Sequence, residues 1–340
     1  MVNSGLTTVN LGLVGLGGVG RFHLRNAMRL KNARLVAVAD TQERARGVAK
    51  AMGVKKVYED YSRLMADSEI DSVVIALPTF LHQECAVDAA EHGKNILLEK
   101  PLARNLAEGG EIVAKTSKAG VKIMVGYPLR FSKFATIKSE IDSGHLGEVV
   151  VAHATNVWHG PFFPAMNVSS PPPIPQWWLD PELTGGGALL DLGSHMINLL
   201  LWYFEDELAA VQSYLGYRFN MPMEDHALCL IRFKSGVSAS VNVGWFAQRK
   251  SISMEVFGTS ETVSMNVDRQ RKITHALNLL GLKPTEEEQA FHNELEYFVN
   301  CILNDISPEP SAADAFRDLE VISKAYENSI HFTKSRVKTK

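Results

Sequence analysis

Residues 9–23 read VNLGLVGLGGVGRFH, and the architecture of the chain follows from them. The opening VNLGLV is an apolar run of strand length, and RFHLRNAMRL after the glycines has helical spacing. Between them stand Gly15, Gly17 and Gly20 in a GxGxxG pattern. Each glycine has its own physical reason there. Gly15 permits a tight turn, Gly17 removes a side chain where backbone must approach a pyrophosphate, and Gly20 lets helix and strand come close. The helix N-terminus, with Gly18 and Val19 at its start, then faces the anion. Alone the pattern is weak; its place between a strand and a helix makes it specific. A second strand, ARLVAVAD (33–40), ends in Asp40, twenty positions past Gly20. A carboxylate there accepts hydrogen bonds from a ribose diol and repels a 2′-phosphate, so NAD is expected over NADP. Arg44 and Arg46, one helical turn on, leave NADP open.

The alternation continues. DSVVIAL (71–77), NILLEK (95–100) and VKIMVGY (121–127) read as strands, and TQERARGVAKAMG, LHQECAVDAAEHG and NLAEGGEIVAKTSKAG as helices. Nearly continuous apolar strands alternating with helices predict a parallel sheet covered on both faces. Beyond residue 127 the pattern changes. EVVVAHATNVW (148–158), LAAVQSYLGYRF, EDHALCLIRF, VSASVNVGWF, SISMEVFG and ETVSMNV are β-rich runs separated by short turns. They predict an open, largely antiparallel sheet. The Pro-rich GPFFPAMNVSSPPPIP (160–175) is excluded from regular structure. Two helices, beginning at EEEQAF and AADAF, close the chain. The expected fold is α/β: a Rossmann doubly wound parallel sheet followed by an α+β domain. The expected domains are 1–127 for NAD(P), 128–310 for substrate and oligomerisation, and a C-terminal helix, 311–340, returning to the first.

Composition bounds the rest. At 340 residues the chain exceeds the roughly 250–300 at which single cores stop growing. With 46% hydrophobic and 21% charged residues it reads as a soluble globular protein. A net charge of −3 gives no basic field for nucleic acid or an anionic membrane. The longest apolar run, MINLLLWYF (196–204), falls short of the ~20 residues a bilayer requires. The N-terminus carries no signal-peptide pattern. Cys85, Cys229 and Cys301 each sit in an apolar setting, as buried small hydrophobes do. Without CxxC or HExxH spacing no structural metal is expected, and a reducing cytoplasm fits best.

Two further stretches carry candidate chemistry. LLEKPLA (97–103) places Lys100 at the C-terminal end of the fourth strand, toward the crevice where doubly wound sheets bind ligands. Position alone also fits a solvated surface lysine. GGGALLDLGSH (185–195) sets Asp191 and His195 four residues apart, on one helix face. Read by itself, it is a flexible turn leading into a buried helix with a core histidine. Beside a dinucleotide fingerprint and Lys100, the polar pair reads as catalytic.

In this order, GLGGVG, the AVAD strand end, ALPTFLH, LLEKPLA, GYPLRF and GGGALLDLGSH resemble the glucose–fructose oxidoreductase/inositol dehydrogenase (Gfo/Idh/MocA) family across nearly the whole chain. The closing SAADAFRDLEVISKAYENSI resembles that family's last helix. The EKP and GGGxLxDxGxH elements are specific; the glycine fingerprint is shared with many other dehydrogenases. The resemblance implies a Rossmann domain carrying NAD(P) and a C-terminal sheet that mediates dimers or tetramers. It implies sugars, polyols or nucleotide sugars as substrates, oxidised or reduced at a secondary alcohol carbon. By position, Lys100, Asp191 and His195 match the family's lysine, aspartate and histidine. Leu77, Thr79 and His82 fall in the segment that lines the cofactor, with Glu99 and Lys100 at the next strand end. His82 also reads as a residue packing at a helix start. Arg130 matches a basic residue near the nicotinamide end. Inositol-type relatives carry two consecutive basic residues there, whereas Leu129 precedes Arg130 here, which argues against an inositol.

Oxidising a secondary alcohol removes a hydride from carbon and a proton from oxygen. His195 suits the base, since imidazole titrates near pH ~6.5. Cationic Lys100 lowers the hydroxyl's pKa, and Asp191 orients the ring or binds a neighbouring hydroxyl. Asn156, Trp158 and Trp177, with His159, flank the Pro-rich loop. Aromatic faces there stack on sugar C–H surfaces, or else belong to core or interface. Two other activities remain open: redox-assisted glycoside cleavage with catalytic NAD, and an NAD-binding regulator without turnover.

Overall fold

Two sheets organise the chain, whose computed structural model describes residues 7–160, 175–247, 249–268 and 284–331. The first contains β1 (Val9–Val14), β2 (Ala33–Ala39), β3 (Lys56–Tyr58), β4 (Ser72–Ile75), β5 (Asn95–Glu99) and β6 (Ile123–Gly126). Every neighbouring pair is parallel, in the order β3-β2-β1-β4-β5-β6. Helices α1 (Gly18–Ala27), α2 (Glu43–Ala51), α3 (Tyr61–Met65), α4 (His82–Glu91) and α5 (Leu106–Ala119) make the crossovers. The strand order reverses between β1 and β4, which opens a crevice beyond their carboxyl ends. This is the doubly wound sheet expected from the sequence. Strand β3 and helix α3 were not anticipated, because three and five residues are too short to show a period.

The second sheet follows α6 (Ala135–Asp142) and takes in β7 (Val149–Val157), then, after α7 (Pro181–Thr184) and α8 (Ser194–Phe204), β8 (Leu208–Gly216), β9 (His226–Phe233), β10 (Ser238–Gly244), β11 (Ser251–Gly258) and β12 (Thr262–Asp268). Helices α9 (Glu286–Leu303) and α10 (Ala312–Glu327) precede a short last strand, β13 (Ser329–His331). The order is β12-β11-β7-β10-β9-β8-β13. The β10/β7 and β13/β8 pairs are parallel and the rest antiparallel. Strand β9 shows why one face is buried: Ala227, Cys229, Ile231 and Phe233 point inward, while Leu228 and Leu230 alternate outward and are exposed. Most of the expected Pro-rich loop lies outside the described residues.

Two compact units result: Met1–Ser132 with Leu280–Leu319, and Lys133–Leu279 with Glu320–Lys340. The sequence reading drew its lines at 127 and 310. Helix α9 explains the difference. Its apolar Leu295, Phe298, Val299 and Ile302 share a core with Val9, Leu11, Leu24, Val38, Val74 and Leu97 of the first sheet and α1. The helix begins with a capping box. Thr285 Oγ1 accepts the Glu288 N–H (2.9 Å), and Glu288 Oε2 accepts the Thr285 N–H (3.0 Å). Among the described residues no helix is long and apolar enough to cross a membrane, and the three cysteines are buried and unbridged.

Candidate active site

In the first unit the glycine loop shows two kinds of glycine. Gly15 has φ +89°, and a Cβ there would lie 2.3 Å from Ala76 O; one on Gly20 would lie 2.0 Å from Gly15 O. Backbone contact therefore excludes any side chain at both. At Gly17 and Gly18, by contrast, an added Cβ meets nothing within 4 Å. Gly17 is the N-cap of α1, and the helix has no acidic residue in its first turn. Open ground beside free N–H groups and the positive end of a helix dipole suits a pyrophosphate. Exposed Val19 lies in the same turn.

Asp40 is held by this loop. Its Oδ2 accepts the Leu16 N–H and its Oδ1 the Gln42 N–H, each at 2.7 Å. A carboxylate has about four acceptor positions, so capacity remains for a ribose diol. Arg46 Nη1 donates to Asp40 O (2.7 Å) and Thr41 O (2.8 Å), and its Nη2 lies 3.6 Å from Glu59. That arginine is thus engaged, while Arg44 is exposed. These residues fit an NAD dinucleotide.

The neighbouring strand ends present a different picture for some expected cofactor contacts. Leu77 and Thr79 are half-buried just past β4. His82 is only 1% exposed. Its Nδ1 lies 2.8 Å from Pro101 O and its Nε2 2.9 Å from Leu77 O. The ring bridges two strand ends and does not face outward. Burial holds its pKa down, so it is neutral and donates its one N–H to one of the two carbonyls. Glu99 is buried too, its Oε1 2.6 Å from His23 Nε2. Half-buried Lys100 follows, joined to Pro101 by a cis peptide. Burial draws the Arg130 guanidinium's pKa down, while nearby Asp318 and Asp314 oppose that shift. Half-buried Arg130 thus lies among carboxylates of its own unit.

His23 was not singled out from the sequence, nor was Glu294, a fully buried residue of α9. Ligand-type atoms of His23, Glu99 and Glu294 lie within 4.8 Å of one another. Neither Glu294 oxygen has a hydrogen-bond partner of ordinary geometry. Burial, and then the Glu99 charge, pushes its pKa well above 4.5. The folded protein therefore retains a proton that the unfolded chain releases as pH rises past the ordinary carboxylate range. Stability from this group declines with rising pH, by at most about 1.4 kcal/mol per pH unit in that window. Glu294→Gln keeps the shape and removes the titration. Its urea-unfolding midpoint is expected to fall less steeply than wild type between about pH 5 and pH 8. Equal slopes would show that the group does not titrate as its burial requires.

The second unit carries Asp191 and His195. The GGGALLDLGSH segment runs through a π-helical turn, Leu189–Gly193, into α8. Such turns are rare and frequently occur at functional sites. From Gly187 to Leu201 every residue is buried except these two. Trp245, itself buried, donates its indole N–H to Asp191 Oδ2 at 3.1 Å. Asn156 donates Nδ2–H to Leu192 O at 3.3 Å. Buried at 3%, it supports the turn and offers little surface to a ligand.

A buried carboxylate holds the start of this segment. Glu224 Oε1 accepts from Gly187 N (3.0 Å), Leu189 N (2.9 Å) and Tyr326 OH (2.8 Å). Burial raises its pKa and these donors oppose the rise. The glycines fit around it. A Cβ on Gly187 would meet Glu224 O at 2.0 Å, and one on Gly186 would approach the Tyr326 hydroxyl. In the same unit, the Trp158 ring stands 4.8 Å from His159, and Trp177 and Trp178 continue to Trp245 at 5.9 Å steps. Sequence reasoning missed Trp245, Glu224 and Tyr326, since their partners are 54, 37 and 102 positions distant.

Comparison with known proteins agrees with these features. Residues 9–127 match the model described as "Oxidoreductase family, NAD-binding Rossmann fold", and residues 134–264 match the Gfo/Idh/MocA C-terminal domain. The chain is 29% identical over 333 residues to scyllo-inositol 2-dehydrogenase (NAD(+)) of Bacillus subtilis, covering 92% of each. It is 29% identical over 266 residues to myo-inositol 2-dehydrogenase of Thermotoga maritima, covering 74% of this chain and 73% of the other. Scyllo-inositol dehydrogenase from Lactobacillus casei, solved with NAD(H) and scyllo-inositol, superposes with a TM-score of 0.78 at 21% identity, covering 95% of this chain and 97% of that one. Two matching domain models lead to one statement: the chain belongs to the Gfo/Idh/MocA oxidoreductase family and carries that family's NAD-binding Rossmann domain.

Proposed function

We propose that the protein oxidises or reduces a secondary alcohol carbon of a sugar, polyol or nucleotide sugar. The observation that carries this reading is the exposure pattern of the π-turn and α8. A fifteen-residue stretch, 187–201, is buried apart from Asp191 and His195, which leaves a carboxylate and an imidazole as its only partly exposed side chains. NAD, when bound, accepts or returns the hydride. His195 takes the hydroxyl proton, the part an imidazole plays well near neutral pH. Lys100 stabilises the alkoxide as charge develops on oxygen. Asp191, held by the Trp245 N–H, orients the ring or binds an adjacent hydroxyl. Trp158 and Trp177 offer faces for sugar C–H surfaces.

The named activities of the relatives support a cyclic polyol or sugar in this role. Leu129 before Arg130 favours a sugar over an inositol, and both belong in the test. The purified chain, supplied with NAD and NADP in parallel, is screened against sugars, inositols and nucleotide sugars for reduced-cofactor absorbance. Turnover with at least one alcohol, faster with NAD, is expected. Cleavage of a glycoside with no net NADH, or no turnover of any alcohol despite tight NAD binding, would overturn the proposal.

A further inference from the structure

We propose that His23 and His82 are positioning residues for Lys100, each fastening one neighbour of the lysine to a loop that lines the dinucleotide crevice. This rests on the reading that Lys100 acts on the substrate oxygen. Strand pairing ends before the lysine: the last β5/β6 partners are Glu99 and Gly126. Beyond that point the ladder no longer holds the backbone, and strand ends fray readily. Two buried rings take over. His23 Nε2 lies 2.6 Å from Glu99 Oε1, the residue before Lys100, and His23 sits on α1, the helix that the glycine loop opens. Its Nδ1 is buried without a partner. In the neutral ring the proton is therefore on Nε2 and is donated to Glu99. An edge-on contact with Phe291, at 5.4 Å and 86°, fixes the ring plane.

His82 does the matching work on the other side. Its Nδ1 lies against Pro101 O, the residue after Lys100, and its Nε2 against Leu77 O just past β4. With the single His82 proton on Nδ1, the lysine is bracketed, Glu99 tied to the helix after β1 and Pro101 to the segment after β4. Those two strands flank the point where the sheet order reverses. At 0% and 1% exposure the rings do not exchange these contacts with water, so the contacts are worth more than surface ones. A flexible side chain that must meet a reacting oxygen to within about 0.5 Å needs such an anchored base.

The test reads Lys100 directly. Competitive acetylation followed by mass spectrometry gives the reactivity of Lys100 relative to exposed Lys31 in the full-length protein. His23→Leu and His82→Leu are each expected to change that ratio about fivefold, the factor one lost hydrogen bond allows. His23→Gln, which keeps an N–H for Glu99, is expected to restore the wild-type ratio. NADH affinity by fluorescence is expected to stay within about twofold, because the glycine loop keeps its own contacts through Gly15 N to Ala39 O and Leu16 N to Asp40. With a substrate from the screen, kcat falls by about 10²-fold while KM for NAD holds. A wild-type labelling ratio in both leucine variants overturns the inference. So does a loss of NADH affinity as large as the labelling change, which would place the histidines in loop folding. Both results are readable even if no alcohol is turned over, a failure that would count against the proposed function alone.

Discussion

His195→Ala is expected to lower kcat by about 10²–10⁴-fold, the range that a positioned acid–base group supplies, and to leave NAD affinity unchanged. The second half follows from where the residues sit. His195 lies on the helix after the π-turn, in the second unit, whereas the glycine cradle and Asp40 lie in the first. Removing the imidazole changes one half-buried side chain and leaves the buried leucines of the segment in sequence and in place. NADH fluorescence and steady-state rates on the same preparation check both halves. Undiminished turnover would remove His195 from the proposed chemistry. A fall in NAD affinity that accounts for the lost rate would remove it as well, since an acid–base group need not hold the dinucleotide. Alanine at Asp191 provides an internal comparison. That change leaves the Trp245 indole N–H without its acceptor, so some lost activity there reflects a disturbed turn.

Much of the first unit was legible in sequence because its signals are local. Strand β1, the glycines and the helix after them occupy consecutive residues, and Asp40 stands at the end of the next strand. Periodicity also found the alternating strands of the second sheet, where burial follows every other residue. The helix that begins at EEEQAF was likewise read from consecutive residues, though not the capping box that Thr285 and Glu288 form. What escaped was long-range or conformational. No local pattern announces that His23 will meet Glu99, 76 positions away, or that α9 belongs with the core of β1. His82 illustrates a subtler limit. Its neighbourhood marked it as a cofactor contact; the two carbonyls beside its ring nitrogens belong to Leu77 and Pro101, and only the folded chain brings them together. The π-turn, likewise, has no spacing that separates it from an α-helix over five residues.

The three glycines of GGGALLDLGSH show how much such a contact changes a reading. Beside two candidate catalytic side chains, three glycines read as room for substrate. The fold fills the space with protein: the missing Cβ of Gly187 would fall 2.0 Å from Glu224 O and 2.9 Å from its carboxylate, deep in a buried network. The two explanations predict different results for Gly187→Ala. If the glycine only cleared space for a ligand, the variant would unfold like wild type in the absence of ligand and lose substrate affinity. If it admits Glu224, the methyl group must push apart the backbone that receives the Gly187 and Leu189 N–H bonds. Overpacking of this kind destabilises by about 1–3 kcal/mol, and leaving a buried carboxylate short of donors adds about as much again. The expected result is a lowered urea midpoint for the ligand-free protein and a large loss of turnover, as the turn under Asp191 shifts. NAD affinity is expected to survive, since the cradle is built from other residues. Wild-type ligand-free stability in Gly187→Ala would return the glycines to the substrate and leave the Glu224 network without a part in shaping the site.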